Sequence, residues 1–331
     1  MAEELLRIEG LRVYYYTRDG IARAVDNVSL SMNMAETVGV VGESGSGKST
    51  LGLAVLKLVP PPGRIVNGSV FFHGIDLLGL DDNEMRKIRG KRISMVFQDP
   101  ATSLNPLMKI SDHLIETIVA HQGCTRDEGR TKALSLMENV GILSERFADY
   151  PHQFSGGMRQ RVGIALALAL SPDLIIADEP TSSLDVMVQS QILNLMMELK
   201  KQYGMGMILI THDLGIISGI ADNIALMYAG ELVEFASVAS FFGEPLHPYA
   251  EALLDSVPNI QLADQKLRFI AGNPPDLINP PLGCRFHPRC PYAMEKCRKN
   301  DPPTVQMGPR RMVKCFRYED QEGDMDDIES G

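Results

Sequence analysis

Nine consecutive residues, Gly42-Glu43-Ser44-Gly45-Ser46-Gly47-Lys48-Ser49-Thr50, carry the most specific chemistry in the sequence. Glycines at this spacing let the backbone turn successive N–H groups inward around phosphate oxygens. A helix starting at the end of the loop adds the positive end of its dipole. Lys48 supplies a point charge for the β- and γ-phosphates, and the Ser49 hydroxyl suits magnesium. The apolar run Thr37 to Val41 precedes the loop and a helix-like stretch, Ser49 to Leu58, follows it, which is the strand–loop–helix setting the motif requires. Gly42, Ser44, Gly45, Ser46, Gly47, Lys48, Ser49 and Thr50 are therefore expected to hold ATP or GTP. Hydrolysis needs a second cluster. Leu174-Ile175-Ile176-Ala177-Asp178-Glu179 puts two adjacent carboxylates at the end of an apolar strand, where they are costly without a partner such as a metal ion. Asp178 suits magnesium, through water, and Glu179 suits polarising the attacking water.

The elements that position these residues follow from periodicity. Leu11, Val13 and Tyr15 share one face of a first strand, and Val25, Val28 and Leu30 follow a turn at Asp19-Gly20. From about Ala101 to Tyr150 the chain is polar and helical in period, with Leu114, Ile115 and Ile118 as one stripe and Ala133, Leu134, Met137 and Val140 as another. An inserted helical subdomain is expected there. Beyond Ser155 come a helix from Met158 to Leu170, a buried strand from Leu174 to Ala177, a helix from Val188 to Tyr203 and a buried strand from Met207 to Thr211. Buried strands alternating with helices imply an α/β fold with a parallel sheet covered on both faces. After about Glu234 the sequence turns Pro-rich and loop-rich, and the cysteines cluster in it.

Composition limits the function classes. At 331 residues with 44% apolar and 22% charged, the chain is long enough for two hydrophobic cores, which excludes disorder and a disulfide-framed miniprotein. The net charge is −10, but the stretch from Glu319 to Glu329 holds seven acids and no base, so the remainder is only about three charges negative. That balance leaves no footprint for nucleic acid. The longest apolar run, Val162 to Leu170, is nine residues, against roughly 20 for a membrane span. The opening MAEELLRIEG lacks a basic and then apolar leader, so a cytosolic location with reduced thiols is expected.

Further short motifs carry a family resemblance. Phe154-Ser155-Gly156-Gly157-Met158 resembles the signature motif of ATP-binding-cassette (ABC) proteins, and Gln98 in Val96-Phe97-Gln98-Asp99-Pro100 resembles their Q-loop glutamine. Thr181-Ser182-Ser183-Leu184-Asp185 is similar to the D-loop, and His212 in Ile210-Thr211-His212-Asp213 to the switch histidine. The resemblance covers residues 1 to about 235 and implies a P-loop ATPase cassette with an inserted helical subdomain at about 101–160. The signature has Phe154 in place of the commoner Leu and Met158 in place of Gln, so an amide donor is lost while the Ser-Gly-Gly core remains. The resemblance implies two cassettes that dimerise head to tail. Lys48, Gln98, Glu179 and His212 would then serve the chain's own nucleotide, and Ser155, Gly156, Gly157 and Asp185 that of the partner. Magnesium falls to Ser49, Gln98 and Asp178. An aromatic residue of the first strand stacks on adenine in the family; Tyr15 is the choice, with Tyr14 and Tyr16 left open.

Four of the five cysteines, Cys284, Cys290, Cys297 and Cys315, are separated by five, six and seventeen residues. That is neither a zinc-finger spacing nor a ferredoxin run. Four thiols in Pro-rich sequence of low apolar content mark a unit in need of a staple, which in a reducing compartment is metal before disulfide. This segment, with His247-Pro248-Tyr249-Ala250-Glu251-Ala252-Leu253-Leu254 and the Asn-Pro-Pro near 274, resembles the C-terminal extension of oligopeptide/dipeptide importer ATPases. Some members of that family carry a [4Fe–4S] cluster on this pattern, so the resemblance implies such a cluster on the four cysteines, with zinc next and free thiols last. Cys124 is expected to be an isolated thiol.

The expected division is a cassette at 1–235, the extension at 236–318 and an acidic tail at 319–331. The resemblance implies an ATPase subunit, peripheral on the cytoplasmic face of the membrane, that energises uptake of di- and oligopeptides. Its implied partners are two integral-membrane permeases, a second related ATPase (a homodimer being the alternative) and an extracytoplasmic binding protein, without nucleic acid. The region from Ala101 to Tyr150, opening on Thr102-Ser103-Leu104-Asn105-Pro106, would face the permeases. Two other readings are an oligosaccharide or nickel importer of the same type and a soluble cassette ATPase of DNA repair or translation. Against the latter, the chain has neither a duplicated cassette nor a long coiled-coil insertion.

Overall fold

The computed structural model describes residues 3–99, 103–182, 184–256 and 270–321. Pro100, Ala101, Thr102, Ser183 and the tail beyond residue 321 lie outside the described residues. The chain forms two compact units, one of residues 1–5, 33–36 and 79–210, the other of residues 6–32, 37–78 and 211–331.

In the first unit three strands, Ile93–Val96, Leu174–Asp178 and Gly206–Thr211, run parallel as neighbours in that order. Leu174–Asp178 and Gly206–Thr211 are buried at every position, as expected for strands with helices on both faces. The helices are Ile110–Gln122, Arg126–Asn139, Gly156–Leu168 and Val186–Tyr203. Two of them start two residues before the apolar pattern does, because a side chain caps each. Ser155 accepts from the Met158 amide, and Asp185 accepts from the Val188 amide at 3.0 Å. In Arg126–Asn139 the buried stripe is Ala133, Leu136 and Met137, continued by Val140 just beyond. Leu136 thus takes the place expected for Leu134, which is only half-buried. Thr125 and Glu128 close a reciprocal capping box at its start.

The second unit holds an antiparallel sheet in the order Ile21–Asn33, Glu4–Tyr16, Gly63–Phe72, Ile75–Asp76. Val25 and Val28 are both buried although three residues apart, since Asn27 between them takes φ 58° and breaks the alternation. A second set of strands starts from Thr37–Val41, which is buried throughout and pairs parallel with Asn223–Tyr228. From there the pairing turns antiparallel through Glu231–Ser237 and Arg311–Lys314 to Thr304–Gly308. The extension therefore contributes two strands where its sequence suggested loops. They are short, but Val305 and Val313 are fully buried and face each other in register.

Arg285 fastens the extension further. Its guanidinium is paired with Asp26 and lies 3.3 Å from Glu231, which also takes Lys314 at 2.9 Å. Burial pushes the Glu231 carboxyl up against the pull of these two cations. Among the described residues no helix is long and apolar enough to cross a membrane.

Candidate functional site

The phosphate loop belongs to the second unit. It leaves the strand Thr37–Val41 and enters the helix Lys48–Val55, whose N-terminal cap is Gly47. Gly42 and Gly47 have φ values of 152° and 101°, and each is pressed against backbone. A Cβ on Gly42 would stand 2.1 Å from the Met227 carbonyl oxygen, and one on Gly47 1.9 Å from that of Ala24. Glycine is required at both by conformation and by space. Lys48 is buried, and its ammonium donates to the carbonyls of Gly42 at 2.8 Å and Glu43 at 2.9 Å, drawing the loop around itself. Ser44 and Gly45 are exposed at the tip, while Ser46 is buried and accepts the Gly230 amide on its carbonyl at 2.9 Å.

The three consecutive tyrosines separate clearly. Tyr15 lies 3.5 Å, hydroxyl to hydroxyl, from Thr50 in the helix that follows the loop. Tyr14 donates to Asp26 at 2.8 Å, and Tyr16 is exposed beneath the Arg64 guanidinium. His212 is exposed, between Thr211 and Asp213; the latter caps the short helix Leu214–Ile220.

The first unit holds the other expected residues. Asp178 ends its strand buried, and Glu179 follows at φ 43°, a conformation that costs a non-glycine residue energy and is commonest where function demands it. The Glu179 amide donates to the Ile210 carbonyl at 2.9 Å, which ties the turn to the neighbouring strand. Gln98 is brought to this carboxylate, donating to Glu179 Oε2 at 3.1 Å, and lies 3.5 Å from the Ser182 hydroxyl. The signature is an N-terminal cap. Ser155 is exposed and accepts the Met158 amide at 3.3 Å, leaving Gly156 and Gly157 as the first turn of a helix with open backbone donors. A Cβ on Gly157 would meet Val188 Cγ1 at 2.6 Å, so the glycine lets this helix approach Val186–Tyr203 just past the D-loop. Phe154 is buried under the Arg146 guanidinium at 4.8 Å, which accounts for an aromatic at that position.

In the extension, Cys284, Cys290, Cys297 and Cys315 line a single cavity together with His247 and Phe286. The thiols of Cys284, Cys290 and Cys315 each accept the amide two residues on, from Phe286, Tyr292 and Arg317, and Cys297 accepts that of Met294 at 3.4 Å. Amides aimed at sulfur favour thiolate, the form that ligates metal. Burial works against them, first among the causes, and pushes Cys284 up to about 12 with the other cysteines adding to the rise. Four thiols are the donor type that thiophilic metals take. The cavity is about 10 Å³, about the volume of one water. Among the described residues no group of three or more His, Cys, Asp or Glu side chains is gathered as a metal ion requires. The four expected ligands thus share a cavity, but among the described residues they do not form the gathered group that the expected cluster needs. Cys124 stands apart from the set.

Residues that sequence reasoning did not single out surround Glu43, within the phosphate loop. Its amide donates to Tyr249 Oη at 2.9 Å, and its carboxylate takes both terminal nitrogens of Arg289, at 2.7 and 2.9 Å. These partners lie more than 200 residues away in sequence, and no local pattern signals them.

Residues 25–182 match the family model described as ABC transporter, and residues 233–297 one described as the C-terminal region of oligopeptide/dipeptide transporters. The chain is 44% identical over 318 residues to the oligopeptide transport ATP-binding protein OppD of Salmonella typhimurium, covering 96% of this chain and 94% of that protein. It is 44% identical over 317 residues to the dipeptide transport ATP-binding protein DppD of Bacillus subtilis, covering 95% of each. Among solved structures, the dimeric post-hydrolysis state of the ATP-binding cassette MJ0796 bound to ADP and Pi superposes with a TM-score of 0.63 at 30% identity, over 70% of this chain and 98% of that one.

Proposed function

Since the chain belongs to the ABC transporter family, among the ATP-binding subunits of oligopeptide and dipeptide importers, we propose that it hydrolyses ATP to drive peptides through membrane permeases. The observation that carries this reading is a likeness to importer subunits over 96% of the chain, with a match to the C-terminal region of oligopeptide/dipeptide transporters at residues 233–297. The cassette is assigned to residues 1–235, with its helical insertion at about 101–160, the extension to 236–318 and the acidic tail to 319–331.

In this reading the backbone donors of Gly42 to Gly47 cradle the phosphates, and Lys48, already held among carbonyls at the loop, carries the charge that meets them. Ser49, Gln98 and Asp178 would hold magnesium, which would supply positive charge to the phosphate oxygens. Thr50 and Tyr15 bound the nucleotide on the helix side, with Tyr15 stacking on adenine. Glu179 orients and polarises water, Gln98 holds its carboxylate in place, and His212 contacts the γ-phosphate. Ser155, Gly156, Gly157 and Asp185 serve the nucleotide of a second cassette. Val186 and Met187, next to Asp185, are 80% and 76% exposed, which supports a partner covering this edge. Glu179→Gln is expected to keep ATP affinity and lose hydrolysis by about a hundred-fold or more, read by phosphate release against nucleotide binding. Hydrolysis at the wild-type rate removes the assigned role.

The partners are two permeases, a related second ATPase and an extracytoplasmic binding protein, with the chain on the cytoplasmic face. A detergent pull-down of the tagged chain from its native cells, with mass spectrometry, tests this. Recovery of permeases and a binding protein upholds the importer; recovery of soluble nucleic-acid factors alone overturns it. We further propose that Cys284, Cys290, Cys297 and Cys315 hold a [4Fe–4S] cluster, which supplies a four-point staple to a segment of low apolar content. The amides aimed at the sulfurs support it. Anaerobic purification with iron, sulfide and zinc counts is the test, and a metal-free, fully active protein removes it.

A further inference from the structure

The geometry points to Arg289 of the extension as a positioning residue of the phosphate loop: by neutralising Glu43 it keeps that loop fit to receive a polyanion. The inference rests on the ATP-binding reading of the loop. It starts from an anomaly of charge. A loop whose backbone donors and lysine are arranged for phosphates contains a carboxylate, Glu43, one residue after Gly42. Left alone, that carboxylate would repel a nucleoside triphosphate across a few ångströms of partly buried space.

Arg289 removes the anomaly. Its side chain is 5% exposed and takes both oxygens of Glu43 in the paired geometry of the strongest ion pairs, at 2.7 and 2.9 Å. The guanidinium is held from its other sides as well. Its Nε donates to the Ala271 carbonyl at 3.0 Å, Nη1 donates to Tyr228 Oη at 3.2 Å, and the Tyr228 ring lies 5.8 Å away. The same two tyrosines close the circuit, because Tyr228 packs on Tyr249 at 4.7 Å and Tyr249 takes the Glu43 amide. Both ends of Glu43, amide and carboxylate, are thus fixed from outside the loop. Its carbonyl, in turn, is one of the two that hold Lys48. Displacing Glu43 displaces the acceptor of the lysine that must meet the phosphates.

A second contact supports a role for the extension here. Pro274 to Ile278 and Glu43 to Ser46 line one cavity of about 340 Å³, and Leu277 accepts the Arg23 amide at 3.0 Å. Arg289 immediately precedes Cys290, so whatever orders the cysteine cavity also orders the arginine.

The test is the affinity of the full chain for Mg·ATP, by titration calorimetry, for wild type, Arg289→Gln, Glu43→Gln and the double variant. Arg289→Gln is expected to weaken binding about ten-fold or more, because it strands a carboxylate beside the phosphates. The double variant is expected to recover most of that loss, and the Arg289→Gln defect to shrink as salt is raised. A part played only in holding the extension together predicts no such rescue. Unchanged affinity in folded Arg289→Gln, or a double variant as weak as the single one, overturns the inference. Should Arg289→Gln not fold, Arg289→Lys replaces it, with a loss between wild type and ten-fold expected and an affinity equal to wild type counting against. Lys48→Ala is the control: if wild type and Lys48→Ala bind alike, the phosphate-loop reading has failed instead.

Discussion

The phosphate loop and the cysteine cavity both gather donors, and they do so in opposite ways. The loop uses backbone. Its two buried-side glycines sit within 2.1 Å of a carbonyl wherever a Cβ would be, so the path of the chain is fixed before any ligand arrives. The cavity uses side chains, four cysteines around a space of about 10 Å³. A site made of backbone is a property of the fold; a site made of thiols is completed by what it binds.

The comparison can be broken at either end. The largest effect is expected from Gly47→Ala, which forces a Cβ to 1.9 Å from the Ala24 oxygen at φ 101°. Strain of this kind is expected to lower ATP affinity on the order of a hundred-fold, read by calorimetry, and near-normal affinity would show that the loop is softer than its contacts imply.

At the other end, the proposed cluster predicts that Cys297→Ser loses most of any iron carried by anaerobically purified protein and melts at the temperature of iron-free wild type. A melting temperature that is the same with and without iron would show that the cavity, like the loop, is complete without a guest.

A subtler lever is the wall of the cavity. Burial raises Glu234 from 4.5 to about 7, against the pull of the Leu246 and His247 amides it accepts, and lowers the adjacent His247 from 6.5 to about 3. A raised carboxyl favours the fold below its unfolded value and loses that favour as pH rises to about 7. A lowered imidazole does the reverse, losing its contribution as pH falls below 6.5. Between pH 4.5 and 6.5 the two slopes cancel, and stability is expected to be flat on their account. His247→Gln unmasks Glu234: at 1.36 kcal/mol per unit, stability is then expected to fall by about 3 kcal/mol from pH 4.5 to 7 in denaturant titrations. A variant as flat as wild type would show that Glu234 is not buried as described.

The smallest effect belongs to Gly45→Ala. Gly45 has φ 80° but open space around it, so only conformational strain of about 1 kcal/mol is expected, a few-fold in ATP affinity. An effect equal to that of Gly47→Ala would remove close contact as the reason the loop is rigid.

Legibility follows the same division. The strand, loop and helix around Lys48 could be read because each step is local: an apolar run, glycines, then a helical period. The carboxylates at Asp178 and Glu179 were legible for the same reason. The positive φ of Glu179 was not, because it follows from the neighbouring strand, whose Ile210 carbonyl takes its amide. Leu136 replaces Leu134 in the buried stripe because two residues are about 200° of helix rotation apart, and position 136 lies nearer the face set by Ala133, Met137 and Val140. The strands Thr304–Gly308 and Arg311–Lys314 were hidden by brevity, and only pairing with Glu231–Ser237 gives them a reason to form. Arg289 could not have been found at all, since its meaning lies 246 residues away in Glu43.

The missing Cβ of Gly157 has a mechanical side. Val188 fills the space where that atom would be, at a distance that leaves no play between the first turn of one helix and the first turn of the next. Two helix starts meshed in this way act like teeth of one gear. Any side chain added at position 157 would therefore have to part the serine-capped helix from the aspartate-capped one at their starts.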